Sequence, residues 1–258
     1  MTSRETTGTK ESKATTGTMV ATETTPSVGD LWSPIDRKTT IVLLAVTLLG
    51  ILFRYFGSKP FYFRHLASSF ALGGNRELTA GLYHFGSAFV FFGLIPALIV
   101  TLVFREPLAA WGVQAGDLSW GWKAFTVVTP VMFALRFFAS KDSEFLAEYP
   151  LNRAAGNGPL AFAFHAIAYL VFYVGWEFGF RGFVQFGLRD RMGDWNAILV
   201  QALASSLLHV GKPFGETVGA VLGGLVWGIV AFRSRSLLVP LLTHWLLGLS
   251  LDLFIVSR

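Results

Sequence analysis

From Lys38 onward the chain is a succession of long apolar runs divided by short polar, turn-rich stretches. Runs approaching 20 apolar residues are the length a bilayer core demands of a helix. The first is Thr39–Gly57, "TTIVLLAVTLLGILFRYFG", and the second is Tyr83–Phe104. Between them, "KPFYFRHLASSFALGGNREL" mixes aromatic and basic residues, which suits an interfacial or re-entrant helix. The third run is Trp122–Ser140, preceded by a loop whose Trp111 and Trp120 suit headgroup-level anchors. Lys141–Pro159 is polar and turn-rich, hence an extramembrane loop. The fourth run extends from Leu160 to about Leu188, and the remaining three are Asn196–Val210, Glu216–Phe232 and Ser236–Val256. The pattern predicts an all-α, polytopic membrane helix bundle of about seven to eight transmembrane helices, forming one domain over residues 38–258.

Residues 1–37 break the pattern. They are Thr/Ser-rich without apolar periodicity, bury too little surface to offset chain entropy, and are expected to be a disordered tail. No apolar h-region follows the start, so a cleaved signal peptide is not expected.

Composition agrees with the membrane reading. Of 258 residues 53% are hydrophobic and 14% charged, against about 25% charged in ordinary soluble domains. The chain has no cysteine, which excludes disulfides, thiolate catalysis and Cys-ligated zinc. Its net charge of +5 forms no Lys/Arg stripe interleaved with aromatics, so nucleic acid is not an expected partner. Assigning loops alternately to the two sides places 11 Lys/Arg with the N-terminus and 7 opposite, which favours a cytoplasmic N-terminus. The expected location is a multi-pass position in a membrane, the cytoplasmic (inner) membrane if the host is bacterial.

Against so apolar a background the ionisable residues stand out, because a charge in a bilayer costs several kcal/mol and persists where it is paired or functional. Those inside the apolar runs of the last hundred residues are His165, Glu177, Arg181, His209, Glu216, His244 and Asp252. Glu177 and Arg181 lie four apart and share a helical face, as a structural ion pair or part of a site. Gly175, Gly179 and Gly182 suit close helix packing. His209 ends an apolar run, and Gly211-Lys212-Pro213 must break the helix before Glu216. Glu216 is then either a first-turn acid favoured by the helix dipole or is folded back beside His209. Pro240 frees backbone four residues before His244, so a bend is expected there. His244, Gly248 and Asp252 form one stripe, with Asp252 either a bundle-facing partner or the polar end of the helix. Two histidines and one or two glutamates on separate helices are what water activation requires. There is no H-E-x-x-H pair and no G-x-S-x-G elbow.

The order Glu-x-x-x-Arg, then His, then His, each in its own hydrophobic segment, resembles the CPBP family of intramembrane proteases. That family includes type II CAAX prenyl proteases and bacteriocin-processing or immunity proteins. "WEFGFRGF" is similar to its first motif, E-E-x-x-x-R followed by Gly; "SSLLH" to the second, F-x-x-x-H; and "VPLLTHWLLG" to the third, H-x-x-x-N or -D. The resemblance covers roughly residues 110–254. It implies a bundle of about eight helices with a site at membrane depth, hydrolysing a peptide bond of a protein or peptide substrate by glutamate-activated water with histidine assistance. This sequence departs from the motifs at Trp176 (first glutamate), Ser205 (phenylalanine) and Gly248 (asparagine).

The residue types left suggest a rearranged site: Glu177 or Glu216 as base, His209 and His244 as assistants, and Asp252 as an orienting group. The expected site residues are thus Glu177, Arg181, His209, Glu216, His244 and Asp252. A divalent metal such as zinc is a candidate cofactor, with His209, His244 and Glu216 as candidate ligands. Expected partners are the protein or peptide substrate and membrane lipid. The alternative is a catalytically inactive member acting as a membrane scaffold or immunity-type binding protein, suggested by the indole at Trp176.

Overall fold

The computed structural model describes Thr2 and residues 36–258, and every regular element among them is helical. The tail expected over residues 1–37 lies outside the described residues except for Thr2, Asp36 and Arg37. Asp36 caps the first helix by accepting from the backbone N–H groups of Lys38 and Thr39, so the bundle begins one residue before the expected boundary.

The elements are α1 (Arg37–Phe56), α2 (Lys59–His65), α3 (Arg76–Phe104), α4 (Leu118–Ala139), α5 (Ser143–Glu148), α6 (Pro159–Glu177), α7 (Gly187–Leu207), α8 (Phe214–Ser234) and α9 (Leu238–Val256). Wide, π-type turns carry α3 through Phe89–Leu94 and Ile99–Phe104, and join α6 to α7 through Phe178–Phe186. Polar caps set several starts: Asn75 accepts from Leu78 N–H for α3, and Asp117 from Trp120 N–H for α4. The Asp117 cap is why the third span opens at Leu118 rather than Trp122.

Six helical stretches are long and apolar enough to cross a membrane. The fourth, Pro159–Leu207, has 49 residues. That is about 74 Å of helix, far beyond one crossing of a ~30 Å hydrocarbon core. It breaks at Gly193, whose φ of 77° and ψ of 162° are closed to other residues. The break falls in the polar run "LRDRMGDWN", and the two arms correspond to the expected fourth and fifth spans. The chain is an integral, multi-pass helix bundle.

Two buried clusters hold it together. One gathers Phe53, Phe85, Phe92, Phe145, Tyr149, Tyr169, Phe172, Tyr173, Trp176, Phe180 and Leu251 around α6. The other surrounds the π-type stretch with Val42, Val100, Trp111, Phe183, Phe186 and Leu237. Helices α3 and α6 cross closely at Gly175, where an added Cβ would stand 2.6 Å from Phe89 Cα. Helices in lipid approach through small residues in this way. The glycines beside the Glu177 motif therefore serve packing.

Pro240 does not bend its helix, contrary to expectation. It lies in the first turn of α9, where its missing N–H would have had no intrahelical partner.

Candidate active site

His165, Tyr169, Tyr173, Glu177 and Arg181 recur at every fourth position of α6 and its continuation, and all five are buried. A four-residue repeat keeps side chains on one helical face. The facing stripe on α9 is His244, Gly248 and Asp252, also buried. The two run antiparallel. His165 meets Asp252 (Nε2–Oδ2 2.8 Å), the Tyr173 hydroxyl lies against Gly248, and Glu177 meets His244 (Oε1–Nδ1 2.6 Å).

Glu177 is the hub of one end. Its Oε1 accepts from His244 Nδ1 and, at 3.2 Å, from Arg181 Nη1, with Glu177 and Arg181 each 1% exposed. Arg181 thereby has a counter-charge, its guanidinium lying 5.4 Å from the Trp227 ring centre. Trp227 also stacks on His244, with centroids 4.1 Å apart. Because Nδ1–H of His244 is given to a carboxylate, the neutral ring offers Nε2 as an acceptor.

His209 and Glu216 come from the turn joining α7 and α8. His209 Nδ1 donates to the Ser205 carbonyl at 2.9 Å, so its Nε2 is likewise an acceptor. Thr217 Oγ1 donates back to the His209 carbonyl at 2.9 Å and closes the turn. Burial lowers the His209 imidazole below its ordinary value and favours the neutral ring. Glu216 Oε1 accepts from the Tyr149 hydroxyl at 2.6 Å, while its buried Oε2 has no partner among the described residues. Burial pushes the Tyr149 phenol well above the usual tyrosine range, so it remains a donor.

These groups meet at a cavity in two adjoining lobes of about 260 and 100 Å³. Trp176, His209, Glu216, His244 and Arg136 border both. The larger lobe is completed by Arg181, Ser205 and Trp227, the smaller by Tyr149, Tyr169, Tyr173 and Gly248. Glu177 borders neither lobe. It touches instead a separate apolar cavity of about 590 Å³ beside α3.

Of the six expected residues, His209, Glu216, His244 and Arg181 thus share one cavity, and Glu177 stands behind it holding His244 and Arg181. Asp252 is the exception. Expected to orient a site histidine, it bonds to His165 instead and borders neither lobe, because the antiparallel crossing carries it two turns from His244. The candidate metal set does not fit either. Among the described residues no three His, Cys, Asp or Glu side chains come together as ligands, so His209, His244 and Glu216 are not gathered as one metal set. Tyr149, Tyr173 and Trp227 were not singled out from the sequence. The fourfold repeat along α6 carried a signal for Tyr173; nothing local marked Tyr149 in its loop.

The described residues thus form a multi-pass helical bundle with two histidines and a carboxylate around one cavity. Residues 158–250 match a family model described as "Rce1-like: Type II CAAX prenyl endopeptidase Rce1-like", which supports a CAAX-protease-like family and, at the family level, a protease. The matched stretch holds the first, second and third motifs and every expected site residue but Asp252. No curated protein and no solved structure matches the chain.

Proposed function

We propose that this protein is an intramembrane endopeptidase in which Glu216 activates water, His209 and His244 assist, and Glu177 with Arg181 holds His244 in place. The observation that carries the reading is that Glu216, whose Oε2 has no hydrogen-bond partner among the described residues, borders one cavity with both histidines. Glu216 is tied only by a neutral hydroxyl, leaving one oxygen to take a proton. Glu177, by contrast, is spent on a cation and an imidazole. The water oxygen bonds to the scissile carbonyl carbon as its proton passes to Glu216. The carbonyl π pair moves to oxygen, and collapse then breaks the C–N bond as Glu216 returns the proton to the leaving nitrogen. His209 Nε2 accepts the water's second hydrogen and fixes its lone pair.

By the family's description the substrate class is a protein carrying a prenylated C-terminus; in a bacterial cytoplasmic membrane it would be an unmodified protein or peptide. The test is cleavage by the liposome-reconstituted protein of two quenched fluorescent peptides, one farnesylated near its C-terminus and one unmodified. Glu216→Gln, His209→Ala and His244→Ala should each abolish a cleavage that the wild type performs. Wild-type rates in all three overturn the reading. Trp176 favours a second one, a binding-only member, since its indole occupies the place of the family's first glutamate and packs on His209 with centroids 5.4 Å apart. That reading predicts no cleavage of either peptide.

A further inference from the structure

Attack on a carbonyl puts negative charge on its oxygen, and a donor aimed at that oxygen is worth about 10²–10³ in kcat. The two histidines do not supply such a donor, because each spends its Nδ1–H elsewhere, although the cavity also holds the unpartnered N–H groups of Trp176, Trp227 and Arg181. The Tyr149 hydroxyl is committed to Glu216. The Tyr173 hydroxyl has the Tyr169 hydroxyl as a side-chain partner and bonds to no carboxylate or carbonyl oxygen among the described residues. Its ring centre lies 4.5 Å from that of His244, and it borders the smaller lobe with His209, Glu216 and His244.

Gly248 is what makes room for it. A Cβ built there would overlap the Tyr173 hydroxyl oxygen and stand 3.0 Å from Tyr169 Cε1. The position where the sequence lacks the third-motif asparagine is thus filled from the facing helix by a phenol. The two features explain one another, since the tyrosine fits only over glycine. Resting on the endopeptidase reading above, we infer that the Tyr173 hydroxyl donates a hydrogen bond to the scissile carbonyl oxygen, and that Gly248 exists to admit it.

The test compares five proteins in liposomes with the same two peptides: wild type, Glu216→Gln, Tyr173→Phe, Gly248→Ala and the double variant Tyr173→Phe/Gly248→Ala. Melting in detergent is followed in parallel. Tyr173→Phe should lower kcat by about 10²–10³-fold, with KM little changed, since the bond forms as charge develops. Gly248→Ala should lower kcat by displacing the hydroxyl without removing it, and should cost little more once Tyr173 is already Phe. Should Tyr173→Phe fail to fold, Tyr173→Met, which also lacks the hydroxyl, takes its place in the same comparisons. Cleavage lost in Glu216→Gln but kept at the wild-type rate in Tyr173→Phe or, in its absence, in Tyr173→Met overturns the Tyr173 assignment and leaves the protease reading standing. A wild type that cleaves neither peptide overturns both. A fall in kcat from Gly248→Ala that is undiminished in the Tyr173→Phe background also overturns the assignment, because packing rather than the hydroxyl would then be responsible.

Discussion

Replacing Glu177 by glutamine should damage folding, whereas the same change at Glu216 should damage mainly chemistry. Glu177 is the only anionic side chain bonded to Arg181 among the described residues, and both are 1% exposed. Glutamine keeps the shape and can still accept from His244, so the perturbation isolates the charge. Removing one partner of a buried ion pair leaves the other uncompensated and costs about 3–5 kcal/mol. At roughly 2–4 °C per kcal/mol for a domain of this size, the apparent melting temperature should fall by on the order of 10 °C. Glu216 is bonded to a neutral phenol, so Glu216→Gln leaves no orphaned charge; at most one neutral hydrogen bond of about 1 kcal/mol is weakened, a shift of about 2–4 °C. A cycle completes the argument. Glu177→Gln combined with Arg181→Leu removes both charges and should recover part of the loss, because apolar replacements of buried pairs are often neutral or better. The assay is melting in detergent, read by tryptophan fluorescence. Equal melting of the two single variants would refute the division of labour, as would a double variant worse than the sum of its parts.

The remaining predictions concern the histidine turn and the helix crossing. Because burial holds the His209 imidazole below its ordinary value of 6.5, the unfolded chain binds the extra proton more readily than the folded one. Stability from this group is therefore present above pH 6.5 and lost as the pH falls toward the lower folded value; His209→Phe should flatten that slope in melting curves taken between pH 7 and 5. At the α3–α6 crossing, Gly175→Ala sets a methyl 2.6 Å from Phe89 Cα and 2.9 Å from the Ala88 carbonyl oxygen, neither of which can move alone. Overpacking of this kind costs about 1–3 kcal/mol, and the loss should appear in detergent melting while Gly86→Ala, whose Cβ meets nothing within 4 Å, stays near wild type.

Much of the helix plan was legible because bilayer length acts locally, and the polar run "LRDRMGDWN" separated the fourth and fifth spans. The caps Asp117 and Asn75 were not singled out, so the third span opens four residues before its expected start. The Glu177–Arg181 pair was legible for the same reason, its partners being one helical turn apart. What periodicity does not encode is which helix faces which, and in which direction. Glu177 finds His244 across 67 residues of sequence, and Asp252 finds His165 across 87. From α9 alone, Asp252 looked like a neighbour to His244, since both lie on one stripe. An antiparallel partner sorts that stripe into separate levels, so His244 and Asp252 serve different ends of α6. Gly248 read as a missing side chain, whereas against α6 it is the space a tyrosine enters. Tyr149 was invisible because it comes from a loop, whose course depends on the whole bundle.

Replacement of Glu216 by alanine, followed by an attempt to restore cleavage with added formate, asks most directly which carboxylate takes the proton. Alanine empties the space beside the free oxygen position, and the cavity that Glu216 borders has room for a small carboxylate. Glu177→Ala opens its space behind His244, away from both lobes of that cavity. The account predicts that formate restores measurable peptide cleavage to Glu216→Ala, in a saturable manner, and none to Glu177→Ala. Undiminished cleavage by Glu216→Ala without formate, or rescue confined to Glu177→Ala, would contradict it.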